Sequence, residues 1–195
     1  MKNICVFCGS NTGVRQAYAD TTVALGRALA AGGIGLVYGG GNVGLMGVLA
    51  DAVLAAGGEV TGVIPRALKE KEVAHLSLTA LHVVGSMHER KALMADLSDG
   101  FIALPGGYGT FDEFCEVLTW TQLRIQQKAC GLLNIEGYYD ALLSMFDHAE
   151  NEGFLKPEHR RLIVSDTDVD GLLQRMKQFV FPAAEKWLQK RPTGI

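Results

Sequence analysis

Short, uniformly apolar runs alternate with helix-patterned segments along the sequence, and no other feature restricts the fold so strongly. The runs are Ile4–Cys8, Ile34–Tyr38, Val60–Ile64, Ala80–Val84, Phe101–Leu104, Cys130–Asn134 and Leu162–Val164. Each has the length of a strand, and a strand apolar at successive positions must be covered on both faces. The segments between them, at about residues 15–31, 44–56, 87–98, 111–126, 138–152 and 168–180, carry apolar residues at helical spacing. In the first, Tyr18, Thr21, Leu25, Ala28 and Leu29 share one face. Strand–helix alternation of this kind predicts parallel pairing through crossover helices. The expected architecture is therefore α/β, a single doubly wound, Rossmann-like parallel sheet with helices on both faces. No linker, repeat or low-complexity tract divides the chain, so residues 1–195 are expected to form one domain, with about 181–195 as a C-terminal extension.

Charge and composition exclude several classes. With 18 Lys+Arg against 21 Asp+Glu and a net charge of -3, nothing supplies the broad basic face of a nucleic-acid binder. Ala28 to Ala50 contains no charged residue and has the length of a membrane span, but eight glycines interrupt it, three of them consecutive. The apolar run near the N-terminus is too short for a signal peptide. A cytoplasmic protein without membrane contact is expected. Cys5, Cys8, Cys115 and Cys130 fit a reducing compartment as free thiols. Cys5-x-x-Cys8 lies in a strand-like run, which sends the two sulfurs to opposite faces, and no second pair completes a zinc site. His75, His82, His88, His148 and His159 show no ligand spacing either, so no metal and no cofactor is expected.

The chain holds 24 glycines against 5 prolines, which in so apolar a sequence means close backbone approaches rather than disorder. Gly32-Gly33 and Gly57-Gly58 read as helix terminators. In doubly wound sheets the ligand crevice lies beyond the carboxyl ends of the strands, at the switch in strand order. Two glycine-rich loops lead from such ends into helices: Gly39-Gly40-Gly41-Asn42-Val43-Gly44-Leu45-Met46-Gly47 and Pro105-Gly106-Gly107-Tyr108-Gly109-Thr110-Phe111-Asp112-Glu113. That geometry aims free backbone N–H groups and the positive end of a helix dipole at a phosphate. Ser10, Gly40 and Gly41 are candidates for an additional phosphate loop. Neither loop is a Walker A motif. Gly39, Gly41 and Gly44 have the dinucleotide spacing, but no acidic residue ends the following strand, which disfavours a dinucleotide.

Arg90 and Lys91 stand near a helix start, where cations are unfavourable unless an anion or carboxylate is close. Arg90 lies one turn before Met94 on the apolar side, so it is expected to point inward, suited to a bidentate grip on phosphate or to holding a carboxylate. Ser86-x-x-Glu89 and Thr110-x-x-Glu113 both have capping-box spacing. A cap accounts for Glu89. Glu113 has Asp112 beside it and Glu116 one turn on, directly after a phosphate-type loop, and two readings stay open: a cap, or a carboxylate that does chemistry.

The nine residues Pro105–Glu113 match the P-G-G-x-G-T-x-x-E signature, and the chain here resembles the LONELY GUY (LOG) family of phosphoribohydrolases, which release the base from cytokinin riboside 5′-monophosphates. Gly39-Gly40-Gly41 with Gly44-Leu45-Met46-Gly47, Met87-His88-Glu89-Arg90-Lys91 and Lys71-Glu72-Val73 resemble further family motifs. The resemblance implies catalysis by Arg90 and Glu113. It implies substrate contacts from Glu72, Arg90, Lys91, Gly106, Gly107, Tyr108, Gly109, Thr110, Phe111, Asp112 and Thr119. It also implies a homodimer with sites near the subunit contact, to which the helix of Trp120 and Leu123 contributes. Position 112 is commonly Glu in the family and is Asp here, and the segment Arg124 to Lys128 is less typical of it. Members have often been labelled lysine decarboxylases; a pyridoxal enzyme needs a Schiff-base lysine, and Lys91 alone adjoins the glycine loops.

The implied reaction cleaves the N-glycosidic bond of a cytokinin-type or purine nucleoside 5′-monophosphate to free base and ribose 5-phosphate. A carboxylate such as Glu113 suits the ribosyl cation-like transition state, with Arg90 positioning it or the ribose. The alternative is a non-catalytic AMP-binding sensor or carrier using the same loops.

Overall fold

The computed structural model describes residues 1–69, 74–75 and 77–182. Seven strands form one sheet: β1 (Asn3–Phe7), β2 (Gly35–Tyr38), β3 (Val60–Pro65), β4 (Ala80–Val84), β5 (Gly100–Ala103), β6 (Ala129–Leu133) and β7 (Ile163–Asp166). All neighbouring pairs are parallel, in the order β4-β3-β2-β1-β5-β6-β7. Every expected strand is present, its ends displaced by at most two residues. The helices are α1 (Gln16–Ala31), α2 (Gly44–Ala55), α3 (Arg66–Lys69), α4 (Met87–Asp96), α5 (Tyr108–Gln122), α6 (Asp140–Asn151), α7 (Pro157–Arg160) and α8 (Val169–Lys177). The four-residue helices α3 and α7 and a 3₁₀ turn at Ile135–Gly137 were not expected from the sequence, since none is long enough to display a helical period.

Side-chain alternation along the strands feeds two apolar layers. Ile4, Val6, Leu36 and Tyr38 meet Leu25 and Leu29 of α1, Leu49 and Val53 of α2, and Leu172 and Met176 of α8. On the opposite face Cys5, Phe7, Val37 and Phe101 meet Met94 of α4 and Phe114 and Val117 of α5. Cys5 and Cys8 thus fall in opposite layers, as period-2 alternation requires. The buried stripe of α1 is Tyr18, Thr22, Leu25, Gly26 and Leu29, with Thr22 in place of the expected Thr21. Gly26 lets α2 approach closely, since a Cβ there would lie 2.7 Å from the Ala52 Cβ. Each fully buried leucine in these layers contributes about 1.5–3 kcal/mol. The uncharged stretch from Ala28 to Ala50 is divided between α1, β2 and α2, and among the described residues no helix is long and apolar enough to cross a membrane.

The strand order runs outward from β1 through β2, β3 and β4, then returns to the other side of β1 at β5. This reversal separates the loops leaving β1 and β5 and opens a crevice at the carboxyl edge. Beside it the Leu104 N–H donates to Phe7 O at 2.9 Å and the Gly9 N–H to Pro105 O at 3.0 Å. The first strand's Cys8–Ser10 exit is thereby locked against the Leu104–Gly107 exit of the fifth.

Candidate active site

At the start of α4 the Ser86 side chain accepts from the Glu89 N–H at 3.1 Å. The Glu89 carboxylate accepts in turn from the Gly85 N–H at 2.7 Å. Glu89 is therefore a capping residue, its reciprocal bond reaching the residue before the cap. This anchored turn sends the next side chain inward, and Arg90 is 8% exposed. Its Nε–H donates to Val63 O at 3.1 Å and its Nη2 to Gly39 O at 3.0 Å. A Cβ on Gly39 would lie 1.9 Å from Nη2, so residue 39 is glycine because the guanidinium occupies that space. The remaining nitrogen, Nη1, lies 3.8 Å from Glu113 Oε1 and 3.8 Å from Met87 Sδ.

Glu113 comes from α5, which begins at Tyr108 rather than near residue 111, with Gly107 as its N-cap. The capping box expected of Thr110 and Glu113 does not form. Thr110 is inside the helix, packed so closely on Gly106 that a Cβ there would lie 2.0 Å from Thr110 Oγ1. Glu113 is thus a full turn beyond cap positions, and a structural cap no longer accounts for it. Its side chain is 12% exposed. Burial raises the carboxyl from 4.5 to about 7, against the pull of Arg90 and with a further push from Asp112.

The first turn of α5 has no side-chain cap and no acidic residue, so the free N–H groups of that turn are available to an anion at the crevice. At Gly107 and Gly109 a Cβ would meet nothing within 4 Å. Neither packing nor a left-handed backbone demands glycine there, which leaves open backbone as the distinguishing property. The Gly39–Gly47 loop is different. Gly40 and Gly41 are buried and do not line the cleft, which corrects their expected place in a second phosphate loop. Gly40 (φ +77) packs on Ile64 and Leu81, and Gly41 bridges to Ala74. Gly44 abuts the Ser10–Asn11 backbone, and the Leu45 N–H is taken by Gly9 O at 3.0 Å. Side chains at Gly40 and backbone at Gly44 fill the space those glycines leave. Ser10 does line the cleft.

Lys91 Nζ lies 3.2 Å from Asp112 Oδ2 and 3.0 Å from Glu116 Oε2. Desolvation lowers its pKa, but the bonds to Glu116 and Asp112 prevail and raise it. An ammonium held protonated in this way is unsuited to Schiff-base formation. The cluster also answers how three acids tolerate one another beside an anion site: two share a lysine, and the third is buried against an arginine.

The cleft, about 230 Å³, is lined by Cys8, Gly9, Ser10, Met46, Met87, Arg90, Gly107, Tyr108, Gly109, Thr110, Asp112 and Glu113. Several expected contacts lie elsewhere. Phe111 points to the core, edge-on to Tyr139 at 6.3 Å. Gly106 faces a neighbouring cavity. Thr119 is about 9 Å further along α5 than Glu113, its hydroxyl donating to Cys115 O at 2.8 Å, in a separate cavity between α5 and α6. Glu72 and its neighbours Lys71 and Val73 lie outside the described residues. Cys8, Met46 and Met87 received no role from sequence. The two methionines stand inside motifs already singled out, but an apolar side chain there looks the same whether it lines a site or a core. Among the described residues no cluster of His, Cys, Asp or Glu is arranged to hold a metal ion.

Fold and site together define a Rossmann-like α/β protein with a cleft at its topological switch point whose uncapped helix start suits an anion. A family profile described as "Possible lysine decarboxylase" matches residues 46–176. The chain is 51% identical over 179 residues to a probable cytokinin riboside 5′-monophosphate phosphoribohydrolase of Oryza sativa subsp. japonica, covering 92% of this chain and 79% of the relative. It is 48% identical over 190 residues to a cytokinin riboside 5′-monophosphate phosphoribohydrolase of Arabidopsis thaliana, covering 97% and 89%. The chain belongs to the LOG family. Among solved structures, the molybdenum cofactor carrier protein of Chlamydomonas reinhardtii aligns with TM-score 0.67 at 21% identity, covering 90% of this chain and 96% of that one. The molybdenum cofactor binding protein of Rippkaea orientalis gives 0.68 at 22%, covering 91% and 97%. These two establish likeness of fold.

Proposed function

We propose that the protein hydrolyses the N-glycosidic bond of a nucleoside 5′-monophosphate, releasing a free base and ribose 5-phosphate. The base is of cytokinin type or another purine, in keeping with the names of the curated relatives. The observation that carries this reading is a buried carboxyl, Glu113, 3.8 Å from the Arg90 guanidinium, in one cleft with the uncapped start of α5. In this reading the 5′-phosphate sits on the N–H groups from Gly107 onward, with Ser10 opposite and Lys91 and Asp112 at the rim. Phosphate binding fixes the sugar beside Glu113. As the bond from C1′ to the base breaks, the base leaves with the electron pair. The Glu113 carboxylate stabilises the cationic sugar and accepts the proton of the water that adds to C1′; the departing base takes up a proton from solvent, to which Glu113 returns its own. Arg90 has two donors tied to Val63 O and Gly39 O, so it serves as a fixed charge that keeps Glu113 ionisable despite burial.

Residues 1–195 then act as one nucleotide-binding domain, in the cytoplasm, and as a homodimer. The support for pairing is α6, a helix with no buried residue although Leu142, Leu143 and Phe146 lie along it and Met145 is 59% exposed. Leu123, just past α5, is 52% exposed. A second copy covering this surface would also bring its own residues near Thr119. The names of the curated relatives do not favour the carrier reading, and turnover separates the two. Incubation with AMP and isopentenyl-AMP should yield free base and ribose 5-phosphate. Glu113→Gln should reduce kcat by about 10³-fold or more while the variant still melts cooperatively. Binding of AMP without release of base would establish a carrier instead.

A further inference from the structure

We propose that Tyr138 is a positioning residue, whose hydroxyl holds the Gly106–Gly107 peptide so that the Gly107 N–H faces the bound phosphate. The proposal rests on reading the cleft as a nucleotide site. Tyr138 follows the turn Ile135–Gly137 on the connection from β6 to α6, remote in sequence from the glycine loop. Its hydroxyl donates to Gly106 O at 2.5 Å. The adjacent Tyr139 hydroxyl donates to Leu104 O at 2.6 Å, and the Gly9 N–H donates to Pro105 O at 3.0 Å. Each of the successive carbonyls leading into α5 is therefore tied to a donor.

A trans peptide points its C=O and N–H in opposite directions. Tyr138 and Gly106 line a cavity of about 200 Å³ on the α1 side, together with Tyr18. Arg90 and Glu113 line the other cleft and not this cavity, and Gly9, Ser10 and Gly107 border both spaces. Drawing the Gly106 carbonyl to Tyr138 consequently turns the Gly107 N–H toward the Arg90–Glu113 side. The reverse orientation would set a carbonyl dipole against the phosphate.

A clamp is needed because a peptide between two glycines meets the least steric resistance to flipping. Glycine cannot be traded away at position 106, since a Cβ there would lie 2.0 Å from Thr110 Oγ1 and 2.9 Å from Gly9 N. The residues that make room for the loop thus create a freedom that a hydroxyl from another part of the chain removes. The Tyr138 ring is itself held edge-on by Tyr18 at 5.8 Å and Tyr139 at 5.0 Å.

The test is Tyr138→Phe in the full chain, which keeps the ring and deletes the donor. Calorimetric binding of ribose 5-phosphate and AMP should weaken by about tenfold while adenosine binding is unchanged, and KM should rise about tenfold with kcat within about twofold. Equal weakening of AMP and adenosine, or no change in either, overturns the proposal. If the variant does not fold, the Gly107 amide resonance of the unaltered protein, followed by NMR during titration with ribose 5-phosphate, decides: a downfield shift supports the clamp and an unmoved resonance overturns it. Phosphate-selective loss of binding in a protein that releases no base would sink the hydrolase reading and leave the clamp standing.

Discussion

In the proposed mechanism Glu113 couples folding to chemistry. Folding raises it from 4.5 to about 7, mainly through burial, so the native chain holds this proton more tightly than the unfolded chain does. Its stabilising contribution is present in full below about pH 4.5 and is lost as pH rises through 7. Thermal unfolding between pH 4.5 and 8 should carry a decline worth about 3 kcal/mol that is missing in Glu113→Gln. Because the proposed mechanism uses the ionised form, kcat/KM should rise with pH and level off above about 7 in a pH–rate profile. Gly39 makes a second residue-scale prediction. Gly39→Ala sets a methyl 1.9 Å from Arg90 Nη2, and that atom is held by a backbone bond rather than free to swing aside. The variant should lose activity by about 10²-fold or more with destabilisation of about 1–3 kcal/mol, measured by turnover and by denaturant unfolding. The inward course of Arg90 was legible from its spacing to Met94. That Gly39 serves Arg90 was not, because the two are far apart in sequence and meet only through the β2–β3 edge.

Among the elements, α5 departs most usefully from its sequence pattern. Apolar periodicity begins at Phe111, and Gly109 next to Thr110 reads as loop, so a start near 111 with a threonine cap is the natural expectation. The helix instead begins at Tyr108, since Gly107 and Gly109 adopt the required backbone and Thr110 is drawn in against Gly106. Tertiary packing overrides the weak helix propensity of glycine here. Gly109→Ala should therefore raise stability by up to about 1 kcal/mol, because nothing obstructs the methyl and alanine favours helix. The same methyl would intrude on a phosphate at the helix start, so KM for the nucleotide should rise. Higher melting temperature with unchanged KM would show that the phosphate lies elsewhere. The second glycine loop carries the converse lesson: its composition resembles a ligand loop, yet Gly9, Ser10, Ile64 and Ala74 of the chain itself occupy its approaches.

At the scale of the molecule, the sheet opens its crevice at the switch between β1 and β5 and leaves apolar side chains exposed just past α5 and along α6. Leu123→Glu or Met145→Glu, at positions 52% and 59% exposed in the single chain, should convert a dimer to a monomer with little loss of fold. Sedimentation would read the change in mass, and a monomeric unaltered protein would refute the pairing. The sequence alone determined the strand count and the parallel α/β class, and with them the switch-point crevice where the site is proposed, because strand-length apolar runs and helical periods are local properties. It also marked Arg90 and Glu113, since a cation at a helix start and an acid after a glycine loop are locally anomalous. Tertiary structure alone decided which glycines face open space, that Thr110 is no cap, and that Gly39 and Tyr138 serve residues distant in sequence. Those depend on which backbone atoms the fold brings within a few ångströms of one another, and no local pattern encodes such a contact.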